Sequence, residues 1–482
     1  MNAKHHATPW SGSSTQTYAS PGSLLVKINL GEAPESTPAM LDVNQRALAP
    51  ATKIDGGPID RIVTTLAGGL RAAKLHSAAA NANIPGQRNK GYDDIEQITG
   101  VARTFFLRVE PGTPVEQLCD RLTQISTVES ATPNYVTSTP FQLESAVIDT
   151  NDGAAWSSRH MVRMPEALAH EPGDPSILLG LIDSGVASTH EEFANVFRAG
   201  FDSVRLRAYD LAPGIKLLGD HEHNDYDPTD RFVGHGMACA GIIGATGLRM
   251  PAGLGGAVRI IPMRALGAAK LPDKDQPVGL GAISDLDIAT KLAVDLGGKV
   301  INMSFGTDDR ALQPSSPRPH AEVVDYALAR GCVLVAASGN NGIETRYWPA
   351  AYPGVIAVGA VDANRQPSTF STRGTHVALC APGERVLTTD LSGYQYATGT
   401  SFAAPFVAAT AALMVSRAAR RAVPLDANTV KELLVQSAQT FARGGMPQTG
   451  CGTGILDAAA ALEHLDTRIN QIIGSEGAND AM

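Results

Sequence analysis

Short, wholly apolar runs alternate with stretches of helical periodicity along most of the chain after about residue 159. Such runs predict strands that are buried on both faces, and their alternation with helices predicts a parallel sheet covered on both sides. The predicted strands cover residues 177–182, 300–303, 333–337 and 355–361, and the predicted helices cover residues 284–296, 321–330, 401–417 and 428–439. We therefore expect a doubly wound α/β domain over residues 158–465, followed by a C-terminal tail over residues 466–482.

A different pattern precedes this domain. Strands are predicted at residues 24–30, 105–109 and 128–136, and a helix at residues 59–70. A second helix is predicted after Thr113, which would act as its N-cap, with Glu116 completing a capping box. We expect a small α+β domain of the ferredoxin-like type over residues 22–136, between a disordered N-terminus (1–21) and a linker (137–157).

The composition is consistent with two folded units. With 482 residues, of which 43% are hydrophobic, the chain is longer than one hydrophobic core usually supports. The net charge of -9 lacks the basic excess that binding to a phosphate backbone requires, so no nucleic-acid partner is expected. The apolar runs are far shorter than the ~20 residues that cross a bilayer, so no membrane partner is expected either.

Two further features indicate the cellular compartment. The first residues are polar, with no basic stretch followed by an apolar segment, so no secretory signal is predicted and a cytoplasmic location is expected. The five cysteines are widely scattered and include no CxxC pair. This spacing favours reduced thiols over a disulfide framework or a cysteine zinc site.

Three polar residues lie at positions in this pattern that suit catalysis. Asp183 follows a predicted buried strand, where its carboxylate could orient an imidazole. His235 lies among small residues that let a helix begin close to the sheet, and Ser401 opens an Ala-rich helix whose N-terminus favours developing negative charge. Taken singly, each has an ordinary structural alternative: a turn aspartate, a packed histidine and a serine N-cap.

Together, the segments LLGLIDSGV, GHGMACAGIIGA and TGTSFAAPFVAATAAL resemble the Asp, His and Ser blocks of the subtilase (subtilisin-like, S8) family, in that family's chain order. Stretches such as KVINMSFG and CAPGERV are also similar, so that the resemblance covers about residues 159–462. It implies a serine endopeptidase with Ser401 as nucleophile, His235 as general base and then acid, and Asp183 as the residue that orients the imidazole. This chemistry requires no cofactor.

The resemblance extends to the oxyanion and substrate positions. In VLVAASGNNG, Asn340 corresponds to the family's oxyanion asparagine, although a plain turn-forming role is the alternative. The residues that the resemblance assigns to substrate binding are Ser304, Phe305, Gly306, Ala337, Ser338 and Gly339. The first three would pair with the peptide backbone, and the last three would wall the pocket for P1, the residue whose carbonyl is attacked. The loop between Asn340 and Trp348 is shorter than in typical subtilisins. Tyr347 or Glu344, which lie in this loop, could therefore block the pocket or place a charge in it.

The blocks depart from the usual family sequence at Met237, Ala238, Phe402 and Ala404. None of these changes removes a catalytic group. Cys239, one helical turn after the histidine, matches the cysteine-bearing subtilases and predicts partial sensitivity to mercurials, although packing is its more ordinary role.

An acidic run precedes His235 and consists of Asp220, Glu222, Asp225, Asp227 and Asp230. A solvated loop is the simplest interpretation. The run could also favour basic substrate residues or bind Ca²⁺ through its carboxylates. Members of the family often bind structural calcium, but the sequence shows no complete ligand set, so a structural Ca²⁺ is kept as an alternative.

The N-terminal segments RTFFLRVEPGTPVEQL and VESATPNYV resemble subtilase propeptides. The resemblance implies that the chain's own N-terminal domain assists folding and acts as an intramolecular inhibitor, with self-cleavage within the linker 137–157. A permanently attached accessory domain is the alternative.

The range of substrates is left open by the sequence. Because no export signal is predicted, the protease could process one particular intracellular peptide or protein substrate, or it could degrade many proteins. A catalytically silent, subtilase-like peptide-binding protein and an esterase are the rival functions.

Overall fold

The computed structural model describes residues 17–34, 36–45, 48–79, 91–138, 141–145, 153–314, 316–442 and 449–479. Residues 1–16 of the expected disordered N-terminus lie outside the described residues, as do residues 139–140 and 146–152 of the predicted linker. The structural statements below concern the described part of the chain.

The N-terminal part contains strands β1 (Thr17–Ile28), β2 (Arg71–Lys74), β3 (Thr104–Arg108) and β4 (Val128–Ser138), and helices α1 (Met40–Gln45), α2 (Pro58–Ala67), α3 (Asp94–Thr99) and α4 (Val115–Leu122). The strands are antiparallel in the order β2-β3-β1-β4. The apolar faces of α2 and α4 pack with the sheet in one core that includes Ile59, Val63 and Leu118. This is the β-α-β-β-α-β arrangement of the ferredoxin-like fold that the sequence predicts.

The remaining strands are β5 (Gln142–Ser145), β6 (Leu178–Asp183), β7 (Phe201–Asp202), β8 (Lys216–Leu218), β9 (Arg259–Arg264), β10 (Gly267–Lys270), β11 (Val278–Ala282), β12 (Gly298–Met303), β13 (Thr307–Asp308), β14 (Val333–Ala337), β15 (Tyr347–Trp348), β16 (Val355–Val361), β17 (Val377–Pro382), β18 (Val386–Thr389) and β19 (Tyr394–Thr398). The remaining helices are α5 (Gly153–Met161), α6 (Met164–His170), α7 (His235–Gly244), α8 (Ile283–Asp295), α9 (Ala321–Ala329), α10 (Thr400–Arg420), α11 (Ala427–Gln436) and α12 (Ala458–Asn479).

A parallel sheet in the order β17-β16-β14-β12-β6-β9-β7 forms the centre of the large domain. Helices α7 and α10 share one apolar core with the sheet, and α8 and α9 share another on the opposite face. The doubly wound α/β architecture is therefore confirmed. Because the carboxyl ends of parallel strands meet at one edge, the residues after β6, β12 and β14 converge there.

Helix α10 is the long core helix of this domain. Its Ala-rich sequence favours helix, although Pro405 lies inside it and cannot donate to the carbonyl oxygen of Ser401. That oxygen accepts the Ser304 hydroxyl at 2.7 Å instead. By length and composition α10 could cross a membrane, but 83% of its most apolar window is buried inside the protein. Such burial is typical of a helix in the core of a globular domain.

The two domains are joined through β4. Its last residues pair antiparallel with β11, so that the N-terminal sheet continues through β11, β10 and β8. The N-terminal domain also contacts α8 and α9, where Lys291 forms a buried ion pair of 2.7 Å with Glu96 and Lys27 reaches Glu322 at 2.7 Å. These contacts place the N-terminal domain against the helices of one face of the parallel sheet.

Several element ends differ from the prediction. Strand β1 begins at Thr17, inside the segment expected to be disordered, and α12 continues through the expected C-terminal tail to Asn479. The capping box before α4 is not formed, because the Thr113 hydroxyl donates to the carbonyl oxygen of Glu110 at 2.7 Å and Pro114 occupies the N-cap. Burial of the apolar stripe of α4 is enough to form the helix without that cap.

Strands β9 and β17 were not predicted. Pro262 lies within β9 and Pro382 ends β17, and proline lowers the strand propensity of both segments. Burial against the neighbouring strands outweighs this local preference. The five cysteines all lie in the described part of the chain, and each is a buried, free thiol in the structure.

Candidate active site

Asp183 and His235 form a buried hydrogen-bonded pair. Asp183 is the last residue of the apolar strand β6, and it is 1% exposed. Its Oδ1 atom lies 2.7 Å from His235 Nδ1 and also accepts the backbone N–H of Ser184 at 2.7 Å. A carboxylate in this position fixes the orientation of the imidazole and stabilises its protonated form.

Glycines allow His235 to reach this position. The residue before it, Gly234, has φ 74°, a conformation that favours glycine. A Cβ atom at Gly236 would lie 2.1 Å from the carbonyl oxygen of Gly185, so a side chain there would push α7 away from the turn after β6. The close approach of α7 to this turn brings the imidazole against Asp183.

The carboxylate of Asp230 organises the start of α7. It accepts the backbone N–H groups of residues 232–234 at 2.8 to 3.0 Å and the hydroxyl of Ser184 at 2.8 Å. The Ser184 hydroxyl in turn accepts the N–H of Gly236 at 2.9 Å. The sequence placed Asp230 only within an acidic run, and its contact with the residue after Asp183 was missed because it depends on the folded chain.

Ser401 lies in the first turn of α10 and is 1% exposed. Its hydroxyl donates to the carbonyl oxygen of Ser304 at 3.1 Å, and among the described residues no hydrogen-bond partner meets His235 Nε2. The start of α10 nevertheless lies beside the imidazole, since the rings of Phe402 and His235 are 5.1 Å apart. The three predicted residues thus share one buried site, with the Asp–His bond formed and the His–Ser bond open.

Asn340 follows β14, and Thr400 fixes the orientation of its amide. The Oδ1 atom accepts both the backbone N–H and the hydroxyl of Thr400, each at 2.8 Å. Nδ2, the donor end of the amide, therefore lies on the other side, where a Cβ atom at Gly399 would approach it to 3.2 Å. Because Gly399 and Thr400 lead directly into Ser401, Asn340 Nδ2 can donate a hydrogen bond to an oxyanion that forms at Ser401. Thr400 was not singled out from the sequence.

A narrow space beside Ser401 contains most of the predicted substrate-binding residues. It is lined by Ser304, Phe305, Gly306, Ala337, Gly339, Asn340, Tyr347, Thr400 and Ser401. Ser338 does not line it, because its hydroxyl donates to the carbonyl oxygen of Thr372 at 3.1 Å. Of the two residues expected to modify the pocket, Tyr347 lies in its wall, whereas Glu344 is exposed and lies outside it.

The predicted linker reaches the site from both ends. Before the residues that are not described, the Thr137 hydroxyl donates to the carbonyl oxygen of Gly306 at 3.3 Å. After them, the ring of Phe141 lies 4.6 Å from the ring of His235, which is fully buried. Strand β5 then pairs antiparallel with β19, the strand that leads into α10. No sequence pattern indicated that Phe141 would cover the imidazole.

The acidic run before His235 makes local hydrogen bonds. The carboxylate of Asp220 accepts the N–H of Glu222 at 3.1 Å, and that of Asp225 accepts the N–H of Asp227 at 2.8 Å. Within the described residues, this run forms no cluster with the geometry of a metal site. Calcium binding stays a prediction.

Asp183, His235 and Cys239 have ligand atoms close enough to hold a metal ion. Burial, and then the charge of Asp183, raise the pKa of the Cys239 thiol well above its ordinary value. Two of the three ligand atoms, Asp183 Oδ1 and His235 Nδ1, are already hydrogen-bonded to each other at 2.7 Å.

A model of the subtilase family (peptidase S8) matches residues 174–454, which is more than half of the chain. The chain is 37% identical over 245 residues to a thermophilic serine proteinase of Bacillus sp. (strain AK1). It is 33% identical over 247 residues to subtilisin DY of Bacillus licheniformis and 32% identical over 242 residues to thermitase of Thermoactinomyces vulgaris. Each match covers 50% of this chain, and the three cover 52%, 77% and 75% of the relatives' own lengths.

Two solved structures are similar. A protease of Pseudoalteromonas arctica PAMC 21717 matches with a TM-score of 0.52 and 23% identity, over 64% of this chain and 97% of that one. At that identity the likeness shows the fold alone. The prenylagaramide maturation protease PagA matches with a TM-score of 0.50 and 26% identity, over 63% of this chain and 98% of that one.

A carboxylate, an imidazole and a serine hydroxyl that meet at the carboxyl edge of a parallel sheet are typical of a serine hydrolase. The family match and the relatives narrow this class. The chain belongs to the subtilase family of serine endopeptidases. The relatives named above are proteinases, which does not support the catalytically silent alternative.

Proposed function

We propose that this protein hydrolyses peptide bonds through an acyl-enzyme on Ser401. The observation that carries the proposal is the buried 2.7 Å bond between Asp183 and His235, in the same site as the serine at the start of α10. Asp183 orients the imidazole, and His235 accepts the proton of Ser401 as that hydroxyl attacks the substrate carbonyl.

The serine must turn before it can react. In the present arrangement the Ser401 hydroxyl donates to Ser304, so rotation about its Cα–Cβ bond is needed to release it toward His235 Nε2. The tetrahedral oxyanion then receives hydrogen bonds from Asn340 Nδ2 and from the backbone N–H of Ser401. His235 afterwards gives its proton to the leaving amine, and water hydrolyses the acyl-enzyme.

The N-terminal domain is proposed to be an intramolecular inhibitor of this site, so that the protein is made as a zymogen. Three contacts support the proposal: β4 pairs with β11, Thr137 bonds to the backbone of Gly306, and Phe141 covers His235. A segment that contacts Gly306 on one side and β19 on the other excludes a second peptide from the same space.

We further propose that self-cleavage occurs between Ser138 and Phe141. Thr137, near the end of β4, contacts Gly306, and Phe141 lies beside the imidazole, so we assign the cleaved bond to the stretch of sequence between Ser138 and Phe141. This narrows the predicted processing region from residues 137–157 to three peptide bonds.

Parallel incubation of the wild type, Ser401→Ala and Ser416→Ala tests these proposals. Ser416 is a second buried serine in α10, and its hydroxyl donates only to the backbone of that helix at 2.8 Å. We expect the wild type and Ser416→Ala to yield fragments whose new ends, read by mass spectrometry, lie between Ser138 and Phe141. Ser401→Ala should stay intact. Cleavage of all three proteins, or of none, contradicts self-processing.

The esterase alternative and the breadth of substrates require separate measurements. A fluorophosphonate should label the wild type at Ser401, and turnover of matched peptide and ester substrates should then show that amide bonds are cleaved. Cleavage of a diverse peptide library would distinguish a dedicated processing protease, which cuts few sites, from a degradative one, which cuts dozens of unrelated sites. We propose a processing role in the cytoplasm, and this experiment tests the processing role.

A further inference from the structure

The ring of Tyr347 lies between Gly306, in the segment expected to pair with the substrate backbone, and Gly339, in the segment expected to wall the P1 pocket. A Cβ atom at Gly339 would lie 2.5 Å from Tyr347 Cδ2, and one at Gly306 would lie 3.2 Å from Tyr347 Cδ1. The ring therefore lies against both segments at once, in the wall of the space beside Ser401.

Little room is left beside the ring. The remaining space, lined by Ser304, Gly339, Asn340 and Ser401 among others, has a volume of about 10 Å³. This is about the room for one water molecule, which needs roughly 10 to 15 Å³, although the space is open to solvent on one side. A leucine or phenylalanine side chain would therefore compete with the tyrosine ring for it.

The backbone holds Tyr347 in this position. Strand β15 pairs antiparallel with β13, where Asp308 is opposite Tyr347 and Thr307 is opposite Trp348. The carbonyl oxygen of Tyr347 also accepts the N–H of Ala351 at 2.8 Å. Tyr347 is 7% exposed, so the ring is packed and not free to swing into solvent.

We propose that Tyr347 restricts the P1 position of substrates to residues with small side chains, such as glycine, alanine and serine. The inference rests on the proposed function, because P1 is defined by the carbonyl that Ser401 attacks. Ser401 and Asn340, which would flank that carbonyl, also border the narrow space, and we infer that the P1 side chain points into it. The substrate class is therefore a peptide or protein with a small residue before the cleaved bond.

The chain's own sequence agrees with this restriction. If self-cleavage occurs between Ser138 and Phe141, the P1 residue is Ser138, Thr139 or Pro140. All three side chains are smaller than those of leucine and phenylalanine, whichever bond is cut. This agreement is independent of the geometry of Tyr347.

Chromogenic tetrapeptide anilides that differ only at P1 test the proposal. Glycine, alanine, serine, leucine and phenylalanine would be compared on the wild type, Tyr347→Ala and Tyr347→Phe, with active sites counted by fluorophosphonate. We expect the wild type to prefer alanine over phenylalanine by at least about 100-fold in kcat/KM. Tyr347→Ala should raise kcat/KM for phenylalanine about 10- to 100-fold, the gain expected from burying an aromatic side chain. Tyr347→Phe keeps the ring and should keep the wild-type preference.

The outcomes separate this inference from the proposed function. Wild-type protein that reacts with fluorophosphonate but cleaves the leucine or phenylalanine peptide as fast as the alanine peptide overturns the restriction. Labelled Tyr347→Ala with an unchanged P1 preference also overturns it. If Tyr347→Ala does not fold, the P1 series on the wild type and on Tyr347→Phe decides alone. Protein that neither reacts with the probe nor cleaves any peptide contradicts the catalytic proposal itself.

Discussion

The hydroxyl of Ser184 donates a 2.8 Å hydrogen bond to the carboxylate of Asp230. Ser184 directly follows Asp183, and Asp230 also binds the backbone that leads into His235. This single bond therefore links the strand that carries the carboxylate to the helix that carries the imidazole. The catalytic pair depends on an acidic residue that touches neither member.

Replacement of Asp230 by asparagine should lower kcat by about 10- to 100-fold with little change in KM, because the amide nitrogen cannot accept the N–H of Gly234 or the Ser184 hydroxyl. The free energy of unfolding should fall by about 1–3 kcal/mol. Peptidase kinetics and urea denaturation measure the two effects. Asp227→Asn, an exposed change in the same run, is the control. Equal kinetics in the two variants would exclude the positioning role.

The oxyanion donor and its anchor should differ in the size of their effects. Asn340→Leu should reduce kcat about 10²- to 10³-fold, the range known for the equivalent donor in subtilisin. Thr400→Val keeps the backbone N–H that holds Asn340 Oδ1 but loses the hydroxyl, so a smaller loss of about 10-fold is expected. Steady-state kinetics on one peptide substrate compares them. A larger loss in Thr400→Val than in Asn340→Leu would contradict this account of the amide.

Glu192 should make the loop after α7 sensitive to acid. Burial alone would raise the pKa of Glu192, but the backbone N–H groups of residues 247–249 and the hydroxyl of Thr246 outweigh it and hold the pKa below its ordinary value. A lowered folded-state pKa gives stability above the unfolded pKa of about 4.3, and this stability is lost as the pH falls through the folded-state pKa.

Glu192→Gln should therefore be less stable than the wild type at pH 7, by about 1–3 kcal/mol. The difference should shrink as the pH falls below about 4. Thermal denaturation between pH 3 and 8 measures this dependence, and Glu191→Gln, at the exposed neighbouring position, is the control. A stability difference that is independent of pH would show that the charge of Glu192 is not responsible.

Cys239 should respond slowly to thiol reagents. It is fully buried, its Sγ atom lies 3.4 Å from the carbonyl oxygen of Ser401, and burial raises the pKa of its thiol. We expect partial inhibition by mercurials, which should disappear in Cys239→Ser and persist in Cys332→Ser, a change in the core on the other face of the sheet. Inhibition of Cys239→Ser to the same extent as the wild type would assign the effect to another cysteine.

The sequence by itself determined the catalytic domain. Apolar runs marked β14 and β16 to the residue, and Asp183, His235, Asn340 and Ser401 were assigned because the segments around them resemble the blocks of the subtilase family. Such signals are read from neighbours along the chain, since a buried strand and a helix start each impose a short local pattern.

Only the tertiary structure decided how open the site is. The ring of Tyr347 contacts Gly306 and Gly339, Phe141 covers His235, and both contacts join segments that are distant in sequence. Strand pairing between β13 and β15, and between β5 and β19, sets these positions. Local sequence does not encode which distant segment will pair, because pairing depends on the packing of the whole chain.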